Sequence, residues 1–231
     1  MTNSVPKLLR RLEVFYGKQT PLWPTDPYEF LIWWHCGYPA SDARCAKGWD
    51  SLSRLIGVAT DKILGASLAE LGDALMPGGM APELRAFRMK TIAAKVRDEF
   101  GDDLARALRQ SPAQARKILK TFSNIGDGGA DRIVLFAGLA PVAAIPSNCP
   151  HVLVRMLFGK ERPNYNLNYR NAQDMIAAEV PEKFEARSRA YLLLKRHGQE
   201  ICKTKPRCEK CPMSADCAYF ADQRRKTRSV G

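Results

Sequence analysis

Hydrophobic positions recur along this chain at helical spacing and nowhere alternate with period two for long enough to require a sheet. In 5-VPKLLRRLEVFYG-17, Leu8, Leu9, Leu12, Phe15 and Tyr16 fall at helical intervals with basic residues mostly between them, which predicts an amphipathic helix. Three prolines in 20-TPLWPTDP-27 break that pattern. The following 28-YEFLIWWHC-36 is so apolar that a buried helix is expected, its two tryptophans serving the core. Between Ser51 and Ser111, glycine and proline punctuate short helices at Leu52 to Ile56, Leu68 to Leu75, Pro82 to Phe100 and Asp103 to Arg109. Ile92, Val96 and Phe100 repeat every four residues and mark one buried face.

Further on, 139-LAPVAAIPSN-148 reads as a connector because Pro141 and Pro146 interrupt it. Residues 149-CPHVLVRMLFG-159 predict another helix, and the polar 160-KERPNYNLNYRN-171 is expected to cross the surface. A long helix is expected over 182-EKFEARSRAYLLLKRHG-198, with Gly198 at its C-terminal cap. The tail 224-RRKTRSVG-231, four of whose first five residues are basic, predicts a flexible segment that is either solvated or in contact with phosphate. The fold class that follows is all-α.

Length and charge narrow the picture. The 231 residues suffice for one large domain or two small ones. No run of eighteen apolar residues occurs, and Lys7, Arg10, Arg11 and Glu13 interrupt the first twenty, so neither a membrane span nor a secretory signal is expected. A cytoplasmic setting follows as the expectation. The net charge of +12 attracts polyanions, nucleic acid foremost.

Four cysteines carry the clearest chemistry. In 202-CKTKPRCEKCPMSADC-217, Cys202, Cys208, Cys211 and Cys217 are separated by five, two and five residues, close enough to wrap one metal centre. Two disulfides are the alternative, which a reducing interior disfavours. Zinc and an iron–sulfur cluster both accept four cysteines. One CxxC flanked on each side by a cysteine five residues away, rather than two separate CxxC knuckles, favours the cluster. Apolar packing is the expectation for Cys36, Cys45 and Cys149.

The run 197-HGQEIC-202, followed by KPRC at 205 to 208, the CxxC and Cys217, resembles the 4Fe–4S loop of endonuclease III and related helix-hairpin-helix DNA glycosylases. That pattern has six residues in its first spacing where this chain has five. The hairpin of the same superfamily, L-P-G-(V/I)-G-x-x-x-A, is matched without a gap by 122-FSNIGDGGA-130, with Asn124 at the first glycine, Gly126 at the second and Ala130 at the alanine. Asparagine is the non-glycine residue that best tolerates positive φ. Such a hairpin presents backbone N–H groups at the start of its second helix to a DNA phosphate, where side chains would obstruct the approach. Asn124, Gly126, Gly128 and Gly129 are therefore the expected DNA-binding positions. A plain helix–helix turn is the alternative reading of the same residues.

The resemblance covers most of the chain and implies two helical lobes with DNA and a flipped nucleotide between them. The first would be a six-helix barrel lobe at 23–139 that contains the hairpin 122–130. The second, formed by 1–22 plus 140–231, would carry the iron–sulfur loop 202–217. Double-stranded DNA bearing a damaged or modified base is the implied partner, a 4Fe–4S cluster the implied cofactor, and a nucleoid-associated monomer the expected state.

Two positions depart from the superfamily's chemistry. Its bifunctional members carry a Schiff-base lysine two residues after the second hairpin glycine, and here that position is Gly128. Lyase chemistry by that route is not expected, whereas monofunctional cleavage by water is. Nearly all members also place an aspartate twenty residues after the same glycine, and here Pro146 stands there, followed by Ser147 and Asn148. The lost carboxylate would stabilise the cationic sugar as the N-glycosidic bond breaks. Asp131 and His151 are the surrogates considered, although Asp131 is expected to face solvent or cap a helix and His151 to serve structure. Asp127 would be repelled by phosphate, and Lys120 suits a solvated helix face or a phosphate contact. The superfamily's gap-filling glutamine is replaced within 37-GYPASD-42 by Tyr38 or Pro39, while Asp42 matches its terminal aspartate. Tyr38 either wedges against a base or packs inside. A DNA glycosylase with non-standard catalytic residues, a non-cleaving lesion-recognition protein and an enzyme of another reaction on a modified base all fit this pattern.

Overall fold

The computed structural model describes residues 4–147 and 149–228, with side chains through residue 225. Its described residues form thirteen α-helices and no strands. They are α1 (Val5–Tyr16), α2 (Pro27–His35), α3 (Asp42–Leu55), α4 (Thr60–Gly65), α5 (Leu68–Leu75), α6 (Pro82–Phe100) and α7 (Leu104–Ala107). After them come α8 (Pro112–Leu119), α9 (Asp127–Phe136), α10 (His151–Phe158), α11 (Tyr165–Glu179), α12 (Phe184–Glu200) and α13 (Ala218–Arg228). The chain divides into two compact units, one of residues 21–133 and one of residues 1–20 with 134–231.

In the central unit the helix starts follow local chemistry. Asp26 caps α2 by accepting from the Glu29 N–H, and Ser67 with Glu70 closes a reciprocal capping box on α5. The apolar segment of α2 is buried as expected, with Phe30, Leu31, Ile32 and Trp33 at 2% exposure or less. Helix α6 runs over the predicted span and turns Ala86, Met89, Ile92, Ala93 and Val96 inward. Arg85, on the same helix, is buried and donates to the carbonyls of Cys36, Leu75, Gly79 and Met80, which fixes the turn between α5 and α6. That turn approaches α2 so closely that a Cβ on Gly78 would lie 1.7 Å from the Cys36 carbonyl oxygen.

In the other unit, α1 buries Val5, Leu8, Leu9 and Leu12 in a core shared with α10, α11 and α12. Arg189 of α12 grips Glu13 of α1 with two hydrogen bonds of 2.9 and 2.7 Å.

Several expectations are corrected here. The segment 160–171 is not wholly a surface crossing, because Asn164 caps α11 by accepting from the N–H groups of Asn166 and Leu167, and the helix begins at Tyr165. Gly198 is not a C-cap: α12 continues to Glu200, and a Cβ on Gly198 would meet Cys149 Sγ at 2.3 Å. Its glycine serves a close helix approach. The basic tail is helical through Arg228, and residues 229–231 lie outside the described residues, as does Asn148. Helix α3 begins at Asp42, well before the expected Leu52, and the expected helix from Asp103 to Arg109 is a single turn over Leu104–Ala107.

Candidate nucleic-acid interface and cysteine loop

The hairpin is built by anchoring its apolar residues and leaving its backbone bare. Ser111 caps α8 by accepting from the Gln114 N–H, with Pro112 at the first helical position. The chain leaves α8 through Thr121 and Phe122, whose N–H groups donate to the carbonyls of Ile118 and Leu119. Phe122 and Ile125 are 4% and 5% exposed and hold the turn against the core. Asn124 sits between them in left-handed backbone with φ 61°, the conformation for which asparagine substitutes for glycine. Its Nδ2 lies 3.5 Å from Nε2 of His35. His35 Nδ1 is 2.8 Å from the Leu31 carbonyl oxygen, and burial pushes this imidazole down to about 4, so the ring is neutral at pH 7.

Helix α9 begins directly after Gly126, whose carbonyl accepts from the Ala130 N–H at 2.9 Å. The first N–H groups of an α-helix have no partner within it, and they carry its positive end. Gly126 is exposed, does not use left-handed backbone, and a Cβ built on it meets no atom within 4 Å. Among the described residues, nothing requires glycine there. Gly129 is half-buried, and its Cβ would reach Ile125 at an ordinary 3.5 Å. Gly128 is half-buried on the first turn.

The candidate acidic residues have separate places. Asp131 is 2% exposed on α9 and bonded to the Arg116 guanidinium of α8, which corrects the expectation of a solvent-facing or capping carboxylate. Asp127 is exposed and receives a 2.6 Å bond from Lys120, so Lys120 braces the two ends of the turn rather than standing as a bare cation. His151 opens α10 with Nε2 2.6 Å from the Cys202 carbonyl oxygen, and burial lowers its basicity. Pro146 is buried, and its carbonyl accepts from the Cys149 N–H just before that helix. Tyr38 is half-buried and stacks on Trp34 with centroids 4.6 Å apart. Asp42 lies 3.4 Å from Arg132, whose guanidinium sits 3.7 Å over the Trp23 ring.

Cys202, Cys208, Cys211 and Cys217 line one pocket together with Arg155, His197 and Tyr219. Two 3-10 turns, Cys208–Lys210 and Ser214–Asp216, shape the loop between them. Arg155 donates to the Lys203 carbonyl at 2.6 Å and reaches Cys202 Sγ at 3.7 Å. The Met213 N–H donates to Cys211 Sγ at 3.4 Å. Burial, reinforced by the neighbouring thiols, pushes Cys202 and Cys211 up to about 11 and raises Cys208. Such a set keeps its protons until a cation displaces them.

Among the described residues, no group of three or more His, Cys, Asp or Glu side chains is gathered so as to hold a single metal ion. Tetrahedral zinc would require the sulfurs about 2.3 Å from one point. Four thiols around a common pocket, with Arg155 and the Met213 N–H directed at sulfur, are a donor set that an iron–sulfur group also accepts. Sequence reasoning found the four cysteines and the bare turn from their spacing. It missed Arg116, Arg155, Tyr16 and His197 as partners, because the residues they touch are between 6 and 181 positions away and no local pattern marks such pairs.

No family model matches the chain. It is 25% identical over 191 residues to endonuclease III of Sulfolobus acidocaldarius, covering 79% of this chain and 78% of that one. Among solved structures it is similar to an endonuclease III in a non-covalent DNA complex, with TM-score 0.74 and 18% identity over 96% of this chain and 97% of that one. A thermostable thymine-DNA glycosylase gives 0.73 and 23% over 94% and 97%. A 3-methyladenine DNA glycosylase of H. pylori bound to 1,N6-ethenoadenine gives 0.64 and 14% over 86% and 98%. The chain therefore has the endonuclease III fold, and it is similar in sequence to an endonuclease III.

Proposed function

We propose that this protein binds duplex DNA and releases a damaged or modified base by cleaving its N-glycosidic bond, with non-standard catalytic residues and a 4Fe–4S cluster on the cysteine loop. The observation that carries the reading is Gly126: an exposed glycine at the start of α9 that the fold itself does not require. A phosphate oxygen placed there meets backbone N–H groups and the positive helix end, and any side chain would stand in its way. The named DNA complex and the two glycosylases among the similar structures support the same reading.

The cluster would be held by Cys202, Cys208, Cys211 and Cys217. When bound it supplies four metal–thiolate bonds that order the loop. Arg155 and the Met213 N–H, each directed at a cysteine sulfur, would offset its negative charge. The proposed DNA contacts are Asn124, Gly126, Gly128 and Gly129, with Tyr38 available to stack on a base. With Gly128 at the lysine position, hydrolysis rather than lyase chemistry is the expected course.

Asp131 and His151 are the proposed surrogates for the missing carboxylate. A second reading, recognition without cleavage, is favoured by one observation: Asp131 is tied to Arg116 and His151 to the cysteine loop. Protein in excess over duplexes that each carry one altered base, followed by mass spectrometry of the products, separates the two. Free base that falls in yield with Asp131→Asn or His151→Ala, at unchanged DNA affinity, supports cleavage by these residues. Tight lesion-selective binding with no mass change establishes the second reading.

A further inference from the structure

Tyr16, His197 and Cys211 stand in a hydrogen-bonded line that ends on a cysteine of the loop. Tyr16, half-buried on the last turn of α1, places its Oη 3.0 Å from Nδ1 of His197. His197, fully buried in α12, places the opposite ring nitrogen, Nε2, 3.6 Å from Cys211 Sγ. The ring lies edge-on to the tyrosine, with centroids 6.0 Å apart, and faces the pocket that the four cysteines line. We propose that Tyr16 and His197 are positioning residues that hold an N–H donor on Cys211 Sγ and so raise the reduction potential of the iron–sulfur group. This rests on the cofactor reading given above.

Proton bookkeeping fixes the direction of the line. A ligating cysteine is a thiolate and only accepts. With a single ring proton, His197 must carry it on Nε2 for the 3.6 Å contact with sulfur to be attractive. Nδ1 then offers a lone pair, and the Tyr16 hydroxyl, protonated at neutral pH, donates to it. Without that hydroxyl, nothing in the line selects this tautomer. The other tautomer would set the Nε2 lone pair against the thiolate. A donor on a cluster sulfur favours the more reduced, more negative state, so its loss moves the potential downward. The Met213 N–H on the same sulfur remains in every variant, which makes the expected change a shift and not a collapse.

Voltammetry of the full chain, with iron quantified in each sample, tests the proposal. Iron-free wild-type protein overturns the cofactor reading and the relay with it, whereas iron-loaded wild type tests the relay alone. Tyr16→Phe removes one oxygen at a half-buried position and is expected to keep its iron and shift to a more negative potential. His197→Gln, which retains an N–H, is expected to shift less than His197→Leu. Adding Tyr16→Phe to His197→Leu is expected to change nothing further. An unshifted potential in iron-loaded Tyr16→Phe overturns the relay, even if His197→Leu fails to fold. So does a further shift in the double variant, and a purely structural role would lower iron content or melting temperature at constant potential.

Discussion

Asp131 shows how one residue's surroundings limit its chemistry. Its carboxylate is almost fully buried and bonded to Arg116, which is itself about one-third exposed. Removing a partner from a fully buried pair costs roughly 3–5 kcal/mol. Solvent on the arginine side reduces this, and Asp131→Asn is expected to destabilise the fold by about 1–3 kcal/mol in denaturant titration. The same sequence position, read alone, suggested a helix surface. Its partner lies fifteen residues away on α8, and nothing in the local pattern marks the pair. Asn124 was legible for the opposite reason, since its left-handed φ is a local property that residue type reports directly.

At the scale of elements, the helices legible in the sequence were those with their own signals. Helix α6 has Pro82 at its start, Gly101 in left-handed backbone at its end and a four-residue apolar repeat between them. Gly198 was misread because glycine near a helix end has two physical uses, a left-handed cap or a close approach, and only the position of Cys149 decides between them. Gly198→Ala is therefore expected to cost about 1–3 kcal/mol by overpacking, seen as a lowered melting temperature. The hairpin makes a contrasting prediction. Asp127 places a carboxylate at the start of α9, bonded to Lys120, where a phosphate would otherwise meet the helix end. Asp127→Asn is expected to tighten DNA binding at low salt in an anisotropy titration. Unchanged or weakened binding would place the phosphate elsewhere.

At the scale of the whole molecule, the all-helical class followed from the missing period-two pattern, and the solved structures named above share the fold over nearly the full chain. What a sequence could not carry was the pairing of distant residues: Arg155 on the cysteine loop, Arg189 on Glu13 and His197 between Tyr16 and Cys211. The net charge of +12 sets the long-range attraction to a polyanion, while on the proposed reading the hairpin would decide where the backbone is met.

The central claim is that the bare turn at Gly126 holds a DNA phosphate, and DNA affinity as a function of salt tests it most directly. Wild-type protein and Gly126→Val, matched in melting temperature, are titrated with a duplex carrying an altered base across rising salt. The account predicts a steep fall in wild-type affinity and, for the variant, weaker binding with a log–log slope shallower by about one unit, the signature of one lost phosphate contact. A flat wild-type response, or the same affinity and slope in both proteins, would contradict it.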